Sequence, residues 1–149
     1  MDLRRKMDRF YLDMVINELR LANHDSYQRV THNSLLYLDI IAYKENCTVS
    51  YIAEALHVAK SAVTLKVKEL ERQGLVVKTQ SGEDKRVFYL TINETLREEY
   101  KAYDRVLYAA LDEVEAKYSP EQVRLLCDML DTISRRFELE NEKTERKAP

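Results

Sequence analysis

Apolar residues recur along this chain at two rhythms. Over 3–21 they stand at Leu3, Met7, Phe10, Tyr11, Met14, Val15, Leu19 and Leu21, gaps that predict a helix rather than a strand. A polar break, ANHDSYQRVTHN, precedes SLLYLDIIAY at 34–43. The apolar density of that run predicts a helix buried on most sides, with Thr31 or Asn33 as its cap. Thr48 is placed to cap a short helix with Ile52, Ala53 and Leu56 on one face. After the connection LHVAK comes a second amphipathic helix over 60–73, with Val63, Val67 and Leu70 at i, i+4 and i+7. Gly74 stands where a helix-ending glycine belongs.

Past that glycine the rhythm changes. LVVKT and RVFYLTI are rich in β-branched and aromatic residues, and QSGEDK between them predicts a hairpin. Helical spacing returns from Asn93, with Leu96, Tyr100, Tyr103, Val106, Leu107, Ala110, Leu111 and Val114 in one stripe. YSPEQ restarts it, with Ser119 at the cap and Pro120 in the first turn. Val123, Leu126, Cys127, Leu130, Ile133 and Phe137 form the last stripe. The tail ELENEKTERKAP lacks an apolar face and is expected to fray. The long terminal helices carry more apolar side chain than one small domain covers, and pairing with a second copy would use it. The predicted architecture is mainly α with a small antiparallel β-hairpin. It divides into an N-terminal dimerisation helix and connection (1–30), a winged helix-turn-helix region (31–92), and C-terminal dimerisation helices with the tail (93–149), all in one continuous domain.

Two short helices, a tight turn and a following hairpin describe a winged helix-turn-helix. In that arrangement the second helix enters the major groove and the hairpin reaches the flanking backbone or minor groove. Opposite the inward row of Val63, Val67 and Leu70, the second helix offers Ser61, Thr64, Leu65, Lys68 and Arg72, with Lys60 at its start. Small hydroxyls allow close approach to the groove floor, lysines at the margins meet phosphates, and the helix N-terminus favours an anion. Leu65 suits contact with a thymine methyl or packing on a neighbour. At the hairpin tip Gly82 is expected to supply a positive φ. Arg86, read as the start of the returning strand, projects a cation, and Asp84 is placed to hold its guanidinium.

Composition changes this picture only locally. The formal net charge of -2 over 149 residues argues against a nucleic-acid binder. From 57 to 90, however, seven Lys/Arg face four Asp/Glu, whereas from 93 to 149 ten face fourteen. A basic patch binds phosphate whatever the total charge. No apolar run approaches the ~20 residues that span a bilayer, and no secretory signal is legible at the N-terminus. A cytoplasmic protein without membrane association is expected, its two cysteines, Cys47 and Cys127, reduced and structural. His24, His32 and His57 with Asp25 match no one-face ligand spacing, so no metal or other cofactor is expected. No catalytic constellation is present, which argues against an enzyme.

The run from Thr48 to Thr91 resembles the MarR family of bacterial transcriptional regulators. VAKSAVTLKVKELERQGLV, the D-x-R wing signature as DKR (Asp84, Lys85, Arg86), and LT (Leu90, Thr91) leading into a long helix carry the resemblance. It implies an obligate homodimer joined through its terminal helices, with two winged domains on a palindromic operator in double-stranded DNA. Many members are repressors released by a small phenolic or anionic ligand or by cysteine oxidation. Carried onto this chain, the wing arginine is Arg86 with its acidic partner Asp84, and the recognition face is Lys60, Ser61, Thr64, Leu65 and Lys68. Two positions depart from the family: Ala59 where a polar cap is usual, and Glu94 where a glycine is common. The competing reading is a non-enzymatic winged-helix module that binds protein without specific DNA binding. Tyr11, Tyr37, Tyr43, Tyr100, Tyr103 and Tyr108 suit core and dimer packing. They would also suit an aromatic or anionic effector, for which the sequence assigns no binding residues.

Overall fold

The structure, a computed structural model, describes residues 2–22 and 30–145. Its elements are α1 (Leu3–Ala22), α2 (His32–Tyr43), α3 (Val49–Leu56), α4 (Lys60–Arg72), β1 (Val76–Gln80), β2 (Phe88–Ile92), α5 (Glu94–Lys117) and α6 (Pro120–Glu145). The expected order of helices and hairpin is the observed one. Residues Met1–Tyr103 and Asp104–Pro149 form two compact units.

In the first unit, side chains from α2, α3, α4, the hairpin and the start of α5 share one core. Leu38 and Ile41 meet Ile52, Ala53, Val63, Val67 and Leu70, closed by Val76, Leu90, Ile92, Leu96 and Tyr100. Burying each of the larger aliphatic side chains stabilises the fold by about 1.5–3 kcal/mol. The helical spacing of Val63, Val67 and Leu70 therefore sets which side of α4 faces in and which stays free.

Local chemistry starts and stops these helices. Thr31 accepts from the Ser34 amide at 3.3 Å and Thr48 from the Tyr51 amide at 3.1 Å. α3 ends on His57, which adopts the left-handed conformation (φ 53°). There the Val58 amide returns to the Ala53 carbonyl at 3.1 Å, which closes the turn into α4. At the end of α4, Gly74 takes φ 73°. Its amide bonds the Glu71 carbonyl at 2.9 Å, and that of Leu75 bonds Leu70 at 3.0 Å. This pair of bonds is a Schellman closure. Ser119 and Gln122 cap α6 reciprocally, Gln122 Oε1 accepting from the Ser119 amide at 2.9 Å.

The hairpin is antiparallel, with Val76 opposite Ile92 and Gln80 opposite Phe88. The Leu90 amide donates to the Cys47 carbonyl at 2.8 Å, tying β2 to the segment before α3. Three expectations need correction. Gly82 does not adopt a positive φ; Gly74 is the only glycine that does. The returning strand starts at Phe88 rather than Arg86, because Val87 is committed to the turn: its amide bonds the Asp84 carbonyl and its carbonyl accepts from Ser81, both at 2.9 Å. The tail expected to fray is helical as far as Glu145, consistent with its Glu- and Lys-rich sequence, whose residues are good helix formers; residues 146–149 of that tail lie outside the described residues.

In the second unit, the apolar stripe of α6 is half-buried at Val123 and exposed beyond it. Leu125, Met129, Leu130, Ile133 and Phe137 all face solvent in the single chain. In the first unit α1 does likewise with Leu3, Phe10, Tyr11, Leu12 and Leu19. Among the described residues, no helix is long and apolar enough to cross a membrane, and no three His, Cys, Asp or Glu side chains gather as metal ligands. His24 and Asp25 lie outside the described residues.

Candidate nucleic-acid interface

With Val63, Val67 and Leu70 buried, α4 turns Lys60, Ser61, Leu65 and Lys68 to solvent, with Thr64 half-buried beside them. Leu65 is 69% exposed, so of the two roles its sequence position left open, packing on a neighbour is not seen in the single chain. The Thr64 hydroxyl donates to the Lys60 carbonyl at 2.9 Å. Its proton is thus committed to the helix, and the oxygen is left to accept. Ala59 occupies the cap position with no side-chain hydrogen bond, so no side chain competes for the amides that open α4. An uncapped helix start next to Lys60 is a favourable place for an anion.

The hairpin loop is organised by side chains rather than by glycine. Ser81 is buried, and its hydroxyl accepts from the Glu83 and Asp84 amides at 3.2 and 3.4 Å. Gln80 Nε2 donates to the Lys85 carbonyl at 2.6 Å. Asp84 Oδ1 accepts from the Arg86 amide at 2.9 Å. Serine and aspartate bonding amides two and three residues on are the usual makers of such turns.

Within this loop Asp84 and Arg86 are brought together as expected. Arg86 Nε and one terminal nitrogen reach the two carboxylate oxygens of Asp84, each at 3.2 Å. Arg86, first through its guanidinium and then through its backbone amide, holds the Asp84 carboxyl below the usual aspartate range. Yet the Arg86 side chain is 91% exposed. The pair fixes the direction of the guanidinium while leaving its remaining donors to solvent.

The other lysines divide. Lys66 turns away from the outward face of α4 and bonds Glu69 and Ser34. The Lys78 ammonium sits over the Phe88 ring, 4.8 Å from its centre. Sequence reasoning missed Ser81 and Asn93 as organisers. Asn93 donates from Nδ2 to the Gly74 carbonyl at 2.7 Å, bonds the Leu75 carbonyl through its amide, and caps α5 by accepting from the Leu96 amide at 2.7 Å. With its side chain and its backbone amide, this one residue ties together the end of α4, the base of the hairpin and the start of α5. An asparagine ahead of a helical stripe was its available signal.

The cysteines are free, Cys47 buried and Cys127 exposed. Burial pushes the Cys47 thiol up to about 11, against a smaller opposing pull from Lys44. The Tyr100 hydroxyl bonds the Asp39 carboxylate, and the Tyr43 ring meets Tyr100 edge-on at 5.7 Å. Tyr37 is buried, Tyr103 half-buried, and Tyr11 and Tyr108 exposed.

A sequence model described as the MarR family matches residues 30–88. Over 124 residues, 81% of this chain and 85% of the other, the protein is 25% identical to transcriptional regulator ZitR of Lactococcus lactis subsp. cremoris. The structure of Streptococcus pneumoniae FabT in complex with DNA aligns with a TM-score of 0.60 at 21% identity, over 91% of this chain and 94% of that one. A putative MarR family transcriptional regulator from Listeria monocytogenes, complexed with a 26mer DNA, aligns with a TM-score of 0.60 at 15% identity, over 100% and 97% of the two chains. At these identities the structural likeness concerns the fold, and that fold is a winged helix-turn-helix.

Proposed function

We propose that this chain, whose residues 30–88 match the model of the MarR family, is a sequence-specific, homodimeric DNA-binding repressor of that family acting on a palindromic operator. One observation carries the reading: a guanidinium at a hairpin tip, aimed by a bidentate carboxylate and almost wholly exposed. A purely structural ion pair would gain little from so exposed a site. A cation held in one direction without loss of exposure suits a phosphate or minor-groove contact.

In this reading α4 enters the major groove. Lys60 and Lys68 meet phosphates at its margins, Ser61 and Thr64 approach base edges, and Leu65 covers a thymine methyl. Thr64, whose hydroxyl already donates to the Lys60 carbonyl, accepts from a base amino group. Two copies would set their α4 helices ~34 Å apart, one turn of the duplex. The exposed apolar residues of α1 (within 1–30), of α5 at Val106 and Leu111, and of α6 (within 93–149) support pairing with a second copy, since large apolar side chains left open along a helix suit an interface. The DNA complexes of FabT and of the Listeria protein support the partner.

Selection from a random-sequence duplex pool tests the reading. The wild type should enrich a twofold-symmetric sequence, and its affinity should fall steeply with salt. Arg86→Ala should weaken binding to that duplex by roughly tenfold or more, in the range of one lost specific contact, with an unchanged circular dichroism spectrum. A pool returned without enrichment would point instead to a protein-binding module. Repression relieved by an aromatic or anionic effector extends the reading from the family. Titrating the bound duplex with small phenols and aromatic acids should release it, and a complex indifferent to all of them would remove that extension.

A further inference from the structure

Lys66 belongs to α4 but not to its outward face. At about 100° per residue it stands on the flank between the buried row of Val63, Val67 and Leu70 and the exposed Ser61, Leu65 and Lys68. Its side chain is 20% exposed. The ammonium donates to Glu69 Oε2 at 2.8 Å and to Ser34 Oγ at 3.4 Å. Ser34, on α2, is 2% exposed. Its hydroxyl also accepts from Thr31 Oγ1 at 2.9 Å, the oxygen that caps α2. In the other direction Glu69 Oε1 accepts from Gln73 Nε2 at 3.3 Å, at the residue that ends α4. One line of polar contacts therefore runs from the cap of α2 along a flank of α4 to its C-terminus. Hydrogen bonding to Lys66 draws the Glu69 carboxyl below its ordinary range, so that the carboxylate stays charged against the ammonium.

Apolar contact alone holds two helices together without fixing their rotation closely, because burial is non-directional. Hydrogen bonds have angular requirements. At the ~5–6 Å radius of a helix with its side chains, a rotation of about 20° displaces a side-chain tip by about 2 Å. That is enough to lose a contact to a base edge while long, flexible lysines still reach phosphate.

We propose that Lys66, through Ser34, is a positioning residue that fixes the rotational setting of α4 and so governs discrimination between DNA sequences rather than overall affinity for DNA. The inference rests on the DNA-binding reading above. It differs from that reading in giving a lysine of the recognition helix no contact with the nucleic acid.

The test compares binding to the duplex that the wild type selects from a random pool with binding to a scrambled duplex of the same composition, across a salt series. Lys66→Met keeps the aliphatic stem and removes the donor. Ser34→Ala removes the acceptor without changing charge, and it carries the test should Lys66→Met fold poorly. Both variants, shown folded by circular dichroism at the working temperature, should lose about tenfold in the ratio of selected to scrambled affinity. Binding to the scrambled duplex and the salt slope should stay as in the wild type. Lys66→Arg, which retains a donor to Ser34, should recover most of the ratio. Lys68→Met, the control for a phosphate contact, should weaken both duplexes and lower the salt slope by about one. If Lys66→Met behaved like Lys68→Met, or if both test variants kept the wild-type ratio, the positioning role would be overturned. A wild type that selects no sequence would overturn the DNA-binding reading and this inference with it, a result distinct from altered discrimination by variants of a selective protein.

Discussion

A methyl group added to either glycine of this chain meets open space, so backbone conformation alone decides the cost. Gly74 sits at φ 73°, whereas Gly82 does not have a positive φ. Gly74→Ala should therefore destabilise by about 1–2 kcal/mol, the cost of a left-handed alanine. Gly82→Ala should be neutral or stabilise by up to about 0.5 kcal/mol, because it narrows the unfolded ensemble. Urea unfolding of the two variants measures both. Asp84 offers a second check. Its carboxyl is held down by Arg86 in the folded chain, so the pair contributes above the ordinary aspartate pKa, and that contribution disappears as pH falls through the lower folded value. Carbon-detected NMR titration should place the Asp84 midpoint below that of an ordinary aspartate, and Arg86→Ala should raise it part of the way back, because the amide of residue 86 still donates to the carboxylate.

Among the helices, α4 is the one that lacks a cap its neighbours have. Thr31 and Thr48 close the starts of α2 and α3 with side-chain oxygens, whereas Ala59 offers none. Ala59→Ser should stabilise the protein by roughly 1 kcal/mol, seen as a later thermal midpoint. That gain was available without altering any side chain on the outward face, which is consistent with an end left open for an anion. The hairpin shows a similar arrangement, since its loop is built by Ser81, Gln80 and Asp84 and its base is fastened by Asn93. Both elements are rigid where they join the core and open at the surface proposed to meet DNA.

For the molecule as a whole, Cys47 reports on the core. Its thiol is buried and raised to about 11. Because the folded value lies above the unfolded one, the associated stability is complete at neutral pH and declines only as pH climbs from about 9 toward 11. At pH 8 iodoacetamide should modify Cys47 only through opening of the core. The rate at Cys47, read by peptide mapping apart from the exposed Cys127, should rise in step with destabilisation by Gly74→Ala, and rapid labelling of Cys47 in the folded protein would contradict the buried position. At the same scale the exposed stripe of α6 and that of α1 are each unfilled in a single chain, and sedimentation should find two chains together.

The linear order of residues settles the helices, the hairpin and the outward face of α4. Those follow from local spacing: a row at i, i+4 and i+7 leaves one way for the helix to face, and a Thr or a Gly at a helix end acts on amides and carbonyls a few residues off. The partnership of Asp84 with Arg86 was legible for the same reason, the two being neighbours in the chain. Gly82 was misread because a glycine at a tip permits a positive φ without requiring one, and Ser81 and Asp84 supply the turn instead. The fate of Lys66 was only half legible. Periodicity sets it on the flank of α4 and Glu69 stands three residues on, but its partner on another helix, Ser34, lies 32 positions away. Periodicity reports the angle of a residue around its own helix, and contacts across such separations exist only once the core has brought the two helices side by side.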